Sequence, residues 1–126
     1  MILLDTNYLI LMLVPGSPEA QQLRAWIADH ENLCTSSICW YEFVSGPVGE
    51  RGRHLASAIL GNRILPFAGE QAGVAARLFN ATRRTRRMRI DAMIAAAAIH
   101  NRVTLATRNT SDFEPFVEHG LQLFSS

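Results

Sequence analysis

The 126-residue sequence contains no lysine, and all twelve of its cations are arginine. Its positive charge is therefore planar guanidinium, which suits forked contacts with carboxylate or phosphate better than an ammonium point charge does. Cysteine is scarce as well. Cys34 and Cys39 lie five apart without the C-x-x-C spacing of a zinc or redox site, so both are expected as reduced core thiols. Long apolar runs are also missing. The opening segment to Val14 is broken at Asp5, has no basic stretch before it and is too short to span a bilayer. A cytoplasmic protein with no membrane association is expected. No repeat, linker or low-complexity tract divides the chain, which leads to the expectation of one domain over residues 1–126. His30, His54, His100 and His119 are scattered among expected helix ends and loops, so no Ser/His/Asp or Cys/His catalytic arrangement is visible.

What is present is the composition of a globular domain, with 48% hydrophobic and 18% charged residues. A chain of this length buries roughly two thirds of the surface its unfolded form exposes, so no staple is needed for folding. The net charge of +1 hides a cluster: Arg83, Arg84, Arg86, Arg87 and Arg89 fall within seven positions.

Apolar periodicity and turn signals divide the chain into alternating strands and helices. Ile2 to Asp5 reads as a buried strand and Asn7 to Val14 as a helix stopped at Pro15-Gly16. Ser17 and Pro18 form an N-cap and first helical position, with Ala20, Leu23, Ala25, Trp26 and Ile27 as an inward stripe up to about His30. Leu33 to Thr35 is a second strand, followed by a helix capped by Ser36 or Ser37 and ended at Gly46-Pro47. Arg51 to Leu60 is expected as a helix with Leu55, Ala56, Ile59 and Leu60 inward and a left-handed Gly61 at its end. Ile64 to Phe67 gives a third strand. A helix from Glu70, with Ala72, Ala75, Ala76 and Phe79 inward, is expected to run into the arginines. Asp91 to His100 is apolar on every side and is expected as a buried helix; Val103 to Ala106 and Leu121 to Phe124 are the last strands. Such alternation predicts an α/β fold: a parallel sheet of about five strands, right-handed crossovers and three α/β/α layers.

Four acids stand at the edges of these apolar segments: Asp5, Glu42, Asp91 and Asp112. Asp5 ends the first strand and Asp91 is expected to open the alanine-rich helix, so both face the crevice at the carboxyl edge of the sheet. Each has a plain alternative: Asp91 as a helix cap, Glu42 as one exposed position of an apolar helix, Asn109 as a turn residue, Asp112 as a cap of a short helix. Taken together they favour a metal site, because carboxylates gathered at one edge repel each other unless a cation offsets them, and magnesium or manganese takes oxygen ligands.

The blocks Leu4-Asp5-Thr6-Asn7, Glu42 in its helix, Asp91-Ala92-Met93-Ile94-Ala95-Ala96 and Thr107-Arg108-Asn109-Thr110-Ser111-Asp112-Phe113 resemble the PIN domain. Within that family the sequence is most similar to the VapC ribonuclease toxins of toxin–antitoxin pairs. The resemblance covers essentially the whole chain. It implies a PIN-like fold, magnesium- or manganese-dependent RNA cleavage and inhibition by a small antitoxin bound to a toxin homodimer. By resemblance Asp5, Glu42, Asp91 and Asp112 match the acidic quartet, with Thr6, Asn7, Thr107 and Asn109 as polar supports. Asp5 and Asp91 are expected to hold the cation, Asp112 and Glu42 to complete its shell or bind a second ion, and Glu42 to orient or deprotonate the attacking water. One departure is visible, since the segment before Asp91 is more basic than is usual in similar toxins.

The arginine run has three open readings: an edge binding the RNA backbone beside Asp91, a dock for acidic groups of the antitoxin, or a solvated helix end favoured by the dipole of a helix from Glu70 to Arg84. Arg108 is a further candidate for RNA contact. A receiver-like signalling module is excluded because its late lysine is missing, and a D-x-D phosphatase because position 7 is Asn7. A non-catalytic PIN-like module that binds nucleic acid or a partner is the remaining alternative.

Overall fold

The computed structural model describes residues 1–125. Five strands lie in one all-parallel sheet in the order β3-β2-β1-β4-β5: β1 (Ile2–Leu4), β2 (Leu33–Ser36), β3 (Ile64–Leu65), β4 (Thr104–Ala106) and β5 (Gln122–Leu123). The expected α/β/α architecture with a five-stranded parallel sheet is what the chain adopts. The edge strands β3 and β5 are shorter than periodicity suggests, because each pairs on one side only. Ile2, Leu3 and Leu4 are all buried, as parallel strands covered by helices require.

Chain order moves from β1 outward to β2 and β3, then returns to the other side of β1 with β4 and β5. This reversal makes the crevice beyond β1 and β4 the topological switch point, the place where open α/β sheets bind ligands. Leu4 pairs with Ala106, so Asp5 and Thr107, the residues that follow, leave the sheet side by side at that crevice.

Seven helices surround the sheet: α1 (Thr6–Leu11), α2 (Pro18–Ala28), α3 (Ser37–Ser45), α4 (Gly49–Leu60), α5 (Gly69–Asn80), α6 (Arg86–Asn101) and α7 (Thr110–Phe113), with a 3-10 helix over Glu114–His119. Ser17 caps α2 through Ala20 N at 2.9 Å, and Ser36 caps α3 through Cys39 N at 3.0 Å, as the sequence suggests. Three inward faces differ from expectation. In α2 the buried line is Ala20, Leu23 and Trp26, while Ala25 and Ile27 are exposed; a stripe of five residues was too wide for the one layer it packs on. In α4 Leu55 is exposed. In α5 the buried face is Gln71, Ala75 and Leu78, so Ala72 and Ala76 point outward. Gln71 takes the inner position because its Oε1 accepts the Ala68 N–H at 2.8 Å, satisfying an orphan donor at the helix start. Gly61 has φ 61° but ψ −133°, outside the left-handed helical region expected for it.

The largest correction concerns the arginine run. α5 stops at Asn80 instead of continuing to Arg84, and Arg84 turns the chain with φ 57°. α6 then begins at Arg86, five residues earlier than expected, with Thr85 Oγ1 accepting the Met88 N–H. Asp91 is therefore the sixth residue of α6 and not its cap. Buried Ala92 and Ile94 through Ala98 form the centre of the core, where small side chains let α6 pack closely on α5 and the sheet. Enlarging one of them should overpack the interior: Ala96→Leu is expected to lower stability by about 1–3 kcal/mol, read as a reduced urea midpoint with unchanged slope.

Candidate active site

A carboxylate placed out of water needs donors, and Asp5, only 5% exposed, has them. As N-cap of α1 its Oδ1 accepts the Thr6 N–H at 2.8 Å, and its Oδ2 accepts the Thr107 hydroxyl at 2.7 Å. The Cys39 thiol lies 3.7 Å from Oδ1. Burial and then the charge of Asp5 push that thiol up to about 12, with Glu42 adding to the rise against hydrogen bonds from Ser36 and Thr6, so it remains an S–H donor. Thr107 Oγ1 also accepts the Asn109 N–H at 3.0 Å, tying the loop after β4 to the end of β1.

The other acids arrive from separate helices. Glu42 is half-buried on α3 and accepts the Thr6 hydroxyl on its Oε1 at 2.7 Å. Asp5, and not Thr6, caps α1, and the Thr6 side chain joins two acid-bearing elements instead. Asp91 reaches the crevice from the second turn of α6. Burial raises its carboxyl to about 6, with Asp112, Asp5 and Glu42 adding repulsion and Arg87 opposing it. Asp112 sits in the first turn of α7, with its Oδ2 3.5 Å from the Arg87 guanidinium. Asp5, Thr6, Asn7, Glu42, Arg87, Ile90, Asp91, Ile94 and Asn109 line one cleft of ≈ 270 Å³. All four acids named by the sequence thus act on one region: three line the cleft, and Asp112 borders it through Arg87.

Among the described residues, no three His, Cys, Asp or Glu side chains stand close enough together to form a ready metal cluster. The donor set nonetheless fits a hard divalent cation. It is all oxygen, and the upward shift of Asp91, caused first by burial, is increased by the nearby acids that Arg87 only partly offsets.

The basic residues separate. Of the arginine run, Arg87 lines the cleft. Arg84 and Arg89 lie over the Phe79 ring, 5.0 and 5.8 Å from its centroid, and Arg84 also donates to Asn80 Oδ1. Arg83 and Arg86 are exposed. The dipole explanation for the run fails: the cation in the last turn of α5 is Arg77, whereas Arg86, Arg87 and Arg89 crowd the start of α6, where the dipole disfavours positive charge. Arg108 faces away from this cleft and pairs with Glu19 at 3.2 Å. Sequence reasoning missed Glu19, Cys39 and the Arg87–Asp112 pair; Cys39 was findable, because it stands three residues before Glu42 on the same helix face.

The charge crowding has a measurable consequence for stability. A carboxyl at about 6 in the folded protein and at the usual 3.9 unfolded binds its proton more tightly when folded, so stability falls as pH rises from about 4 to about 6 and stays reduced above. Asp91→Asn should therefore be more stable than the parent above pH 6 and lose that advantage below pH 4, in urea unfolding followed across this range.

A family model described as the PIN domain matches residues 2–115. No curated protein is a significant sequence match. Among solved structures the chain is similar to FitAcB from Neisseria gonorrhoeae, with TM-score 0.75, 26% identity and coverage of 99% of this chain and 97% of that one. It is also similar to a toxin-antitoxin complex from Klebsiella pneumoniae, with TM-score 0.72, 28% identity and 90% and 91% coverage. VapBC2 from Rickettsia felis, bound to a DNA fragment from its promoter, shares the fold at 20% identity and TM-score 0.67, covering 98% of each chain. Because that family model spans residues 2–115, most of its length, the chain belongs to the PIN domain family.

Proposed function

We propose that this chain is a metal-dependent endoribonuclease, formed as one domain over residues 1–126 and acting as the toxin of a toxin–antitoxin pair in the cytoplasm. The observation that carries this reading is the convergence of Asp5, Glu42 and Asp91 on one cleft, with Asp112 at its border and the Asp91 carboxyl raised by burial and by the other acids. Asp5 and Asp91 would hold magnesium or manganese, with Glu42 and Asp112 completing the shell. When bound, the ion supplies an activated water and offsets charge developing on the phosphate.

The remaining work falls to the protein. Asp5 is fixed by Thr6 N and Thr107 Oγ1, so it meets a ligand without reorganising. Glu42 is held by the Thr6 hydroxyl and would orient or deprotonate the attacking water. Asn7 and Asn109 are exposed amides on the cleft wall, suited to a phosphate or sugar. Arg87, with Arg83, Arg84, Arg86 and Arg89 behind it, would draw in a polyanion. That three of these cations persist at a helix start, against its dipole, favours an anionic partner over the solvated-helix-end reading.

The resemblance to a toxin-antitoxin complex supports an antitoxin partner; a toxin homodimer is part of the same proposal. Exposed Ile10, Val14, Tyr41 and Leu55 offer apolar surface for such contacts. The second reading, a non-catalytic binding module, is favoured by the lack of a preassembled three-ligand cluster among the described residues.

Two measurements separate these readings. Asp5→Asn should lower magnesium- or manganese-dependent cleavage of RNA by more than about a hundredfold, the loss of a supporting partner of a metal ligand being up to about that figure. Equal cleavage by the variant and the parent would reject the assigned site. Replacing Arg86 and Arg87 with Gln should weaken binding to RNAs of different sequence by similar factors and reduce the slope of log affinity against log salt by roughly 0.7 per lost contact. An unchanged slope with lost antitoxin binding would make the run a protein-docking surface.

A further inference from the structure

A second cavity, of ≈ 650 Å³, opens on the other side of the loop after β4 and is lined by Tyr8, Glu19, Gln22, Thr107, Arg108 and Phe124 among others. It is of the size that encloses a small organic group. Thr107 joins it to the acidic cleft, since the hydroxyl of this wall residue is the one donated to Asp5. A strand lying across the cleft therefore has a neighbouring group at the mouth of this cavity.

Glu19 is the unexplained residue here. Its side chain is 7% exposed, and its Oε2 receives the Arg108 Nη1 at 3.2 Å, while its Oε1 has no hydrogen-bond partner among the described residues. A buried acceptor without a donor is costly, and native proteins seldom keep one without a use. Rotation about the last side-chain torsion, which is broad for glutamate, brings either oxygen toward the cavity. Arg108, whose side chain is half-exposed, can follow.

The chemistry of the walls narrows the ligand. Glu19 and Arg108 cancel, and among the described residues no other lining side chain is charged, so these side chains offer a cation no net attraction. What is offered is a carboxylate oxygen in need of an N–H, a guanidinium with free donors, the amides of Gln21 and Gln22, and the Phe124 ring. A nucleobase presents that complement: an N–H edge beside an acceptor atom on a flat apolar face. We propose that this cavity is a subsite for one base of single-stranded RNA, with Glu19 accepting a base N–H and Arg108 donating to the adjoining acceptor. The inference rests on the reading that RNA enters the neighbouring cleft, and it makes Glu19 a determinant of sequence preference rather than of chemistry.

The test uses the full chain and short single-stranded RNAs that differ at one position. Binding is measured by fluorescence anisotropy without divalent metal, and cleavage by the same chain with magnesium or manganese. The parent should discriminate among the four bases at one position, and Glu19→Gln should reduce that discrimination by about five- to tenfold, the worth of one recognition hydrogen bond. Should Glu19→Gln fail to fold, as judged by its thermal melt, Gln22→Ala, which removes one of the amides offered to the base, carries the same expectation. Base discrimination absent in the parent, or unchanged in the folded variants, overturns the inference. Selective binding lost in Glu19→Gln without any cleavage by the parent upholds the subsite and rejects the nuclease reading. Cleavage with an untouched preference does the reverse. Loss of antitoxin co-purification with unchanged base preference would assign the cavity to the protein partner and likewise overturn it.

Discussion

The structure depends on one buried carboxylate. Asp5 follows the central strand, almost wholly buried at the base of the cleft, and it remains acceptable only because donors converge on it from α1, from α3 and from the end of β4. That requirement couples local and long-range structure. The Thr107 hydroxyl can reach Asp5 only if Leu4 pairs with Ala106, so sheet register and site assembly are the same event. A slip of one residue would turn each strand side chain to the opposite face and leave the acid unsatisfied.

Around that anchor the protein accumulates charge it does not neutralise. Asp91 shows the cost, because burial and the nearby acids hold its proton up to about 6 despite Arg87. Stable interiors avoid such crowding, and functional clefts use it. The arginines at the start of α6 are a second local conflict, placed against a helix dipole. These conflicts of opposite sign on adjoining surfaces are what the proposed cation and the proposed polyanion would relieve. Glu19, in the first turn of α2, adds a third unsatisfied group. Local rules that fail at neighbouring places are the expected mark of a binding surface in an otherwise consistent fold.

Much of this was legible beforehand, and for physical reasons. Alternating apolar runs and capping residues such as Ser17 and Ser36 identify elements because they report local backbone preferences. The order of strands and helices then restricts the topology, and with it the edge where Asp5 and Thr107 must emerge. The acids themselves were visible as charges in apolar company. Less legible was anything decided by packing against a neighbour. Gln71 displaces Ala72 from the inner face of α5 because it satisfies a backbone donor, and no hydrophobic scale registers that. The break at Arg84 was hidden because arginine is a good helix former, so composition continued α5 where the chain in fact turns.

The sequence alone determined the alternation that makes a parallel α/β sheet and the residue types able to bind a hard cation, since both follow from spacing and side-chain chemistry along the chain. Tertiary structure decided which partners those residues meet. Asp91 became a mid-helix carboxyl under the charge of three other acids, Thr6 a link to Glu42 and not a cap, Arg87 a neighbour of Asp112, and Arg108 the partner of a buried Glu19 outside the cleft. Hydrogen bonds and Coulomb energy depend on distance in space, and residues 36, 89 or 102 positions apart acquire that distance only when the sheet closes.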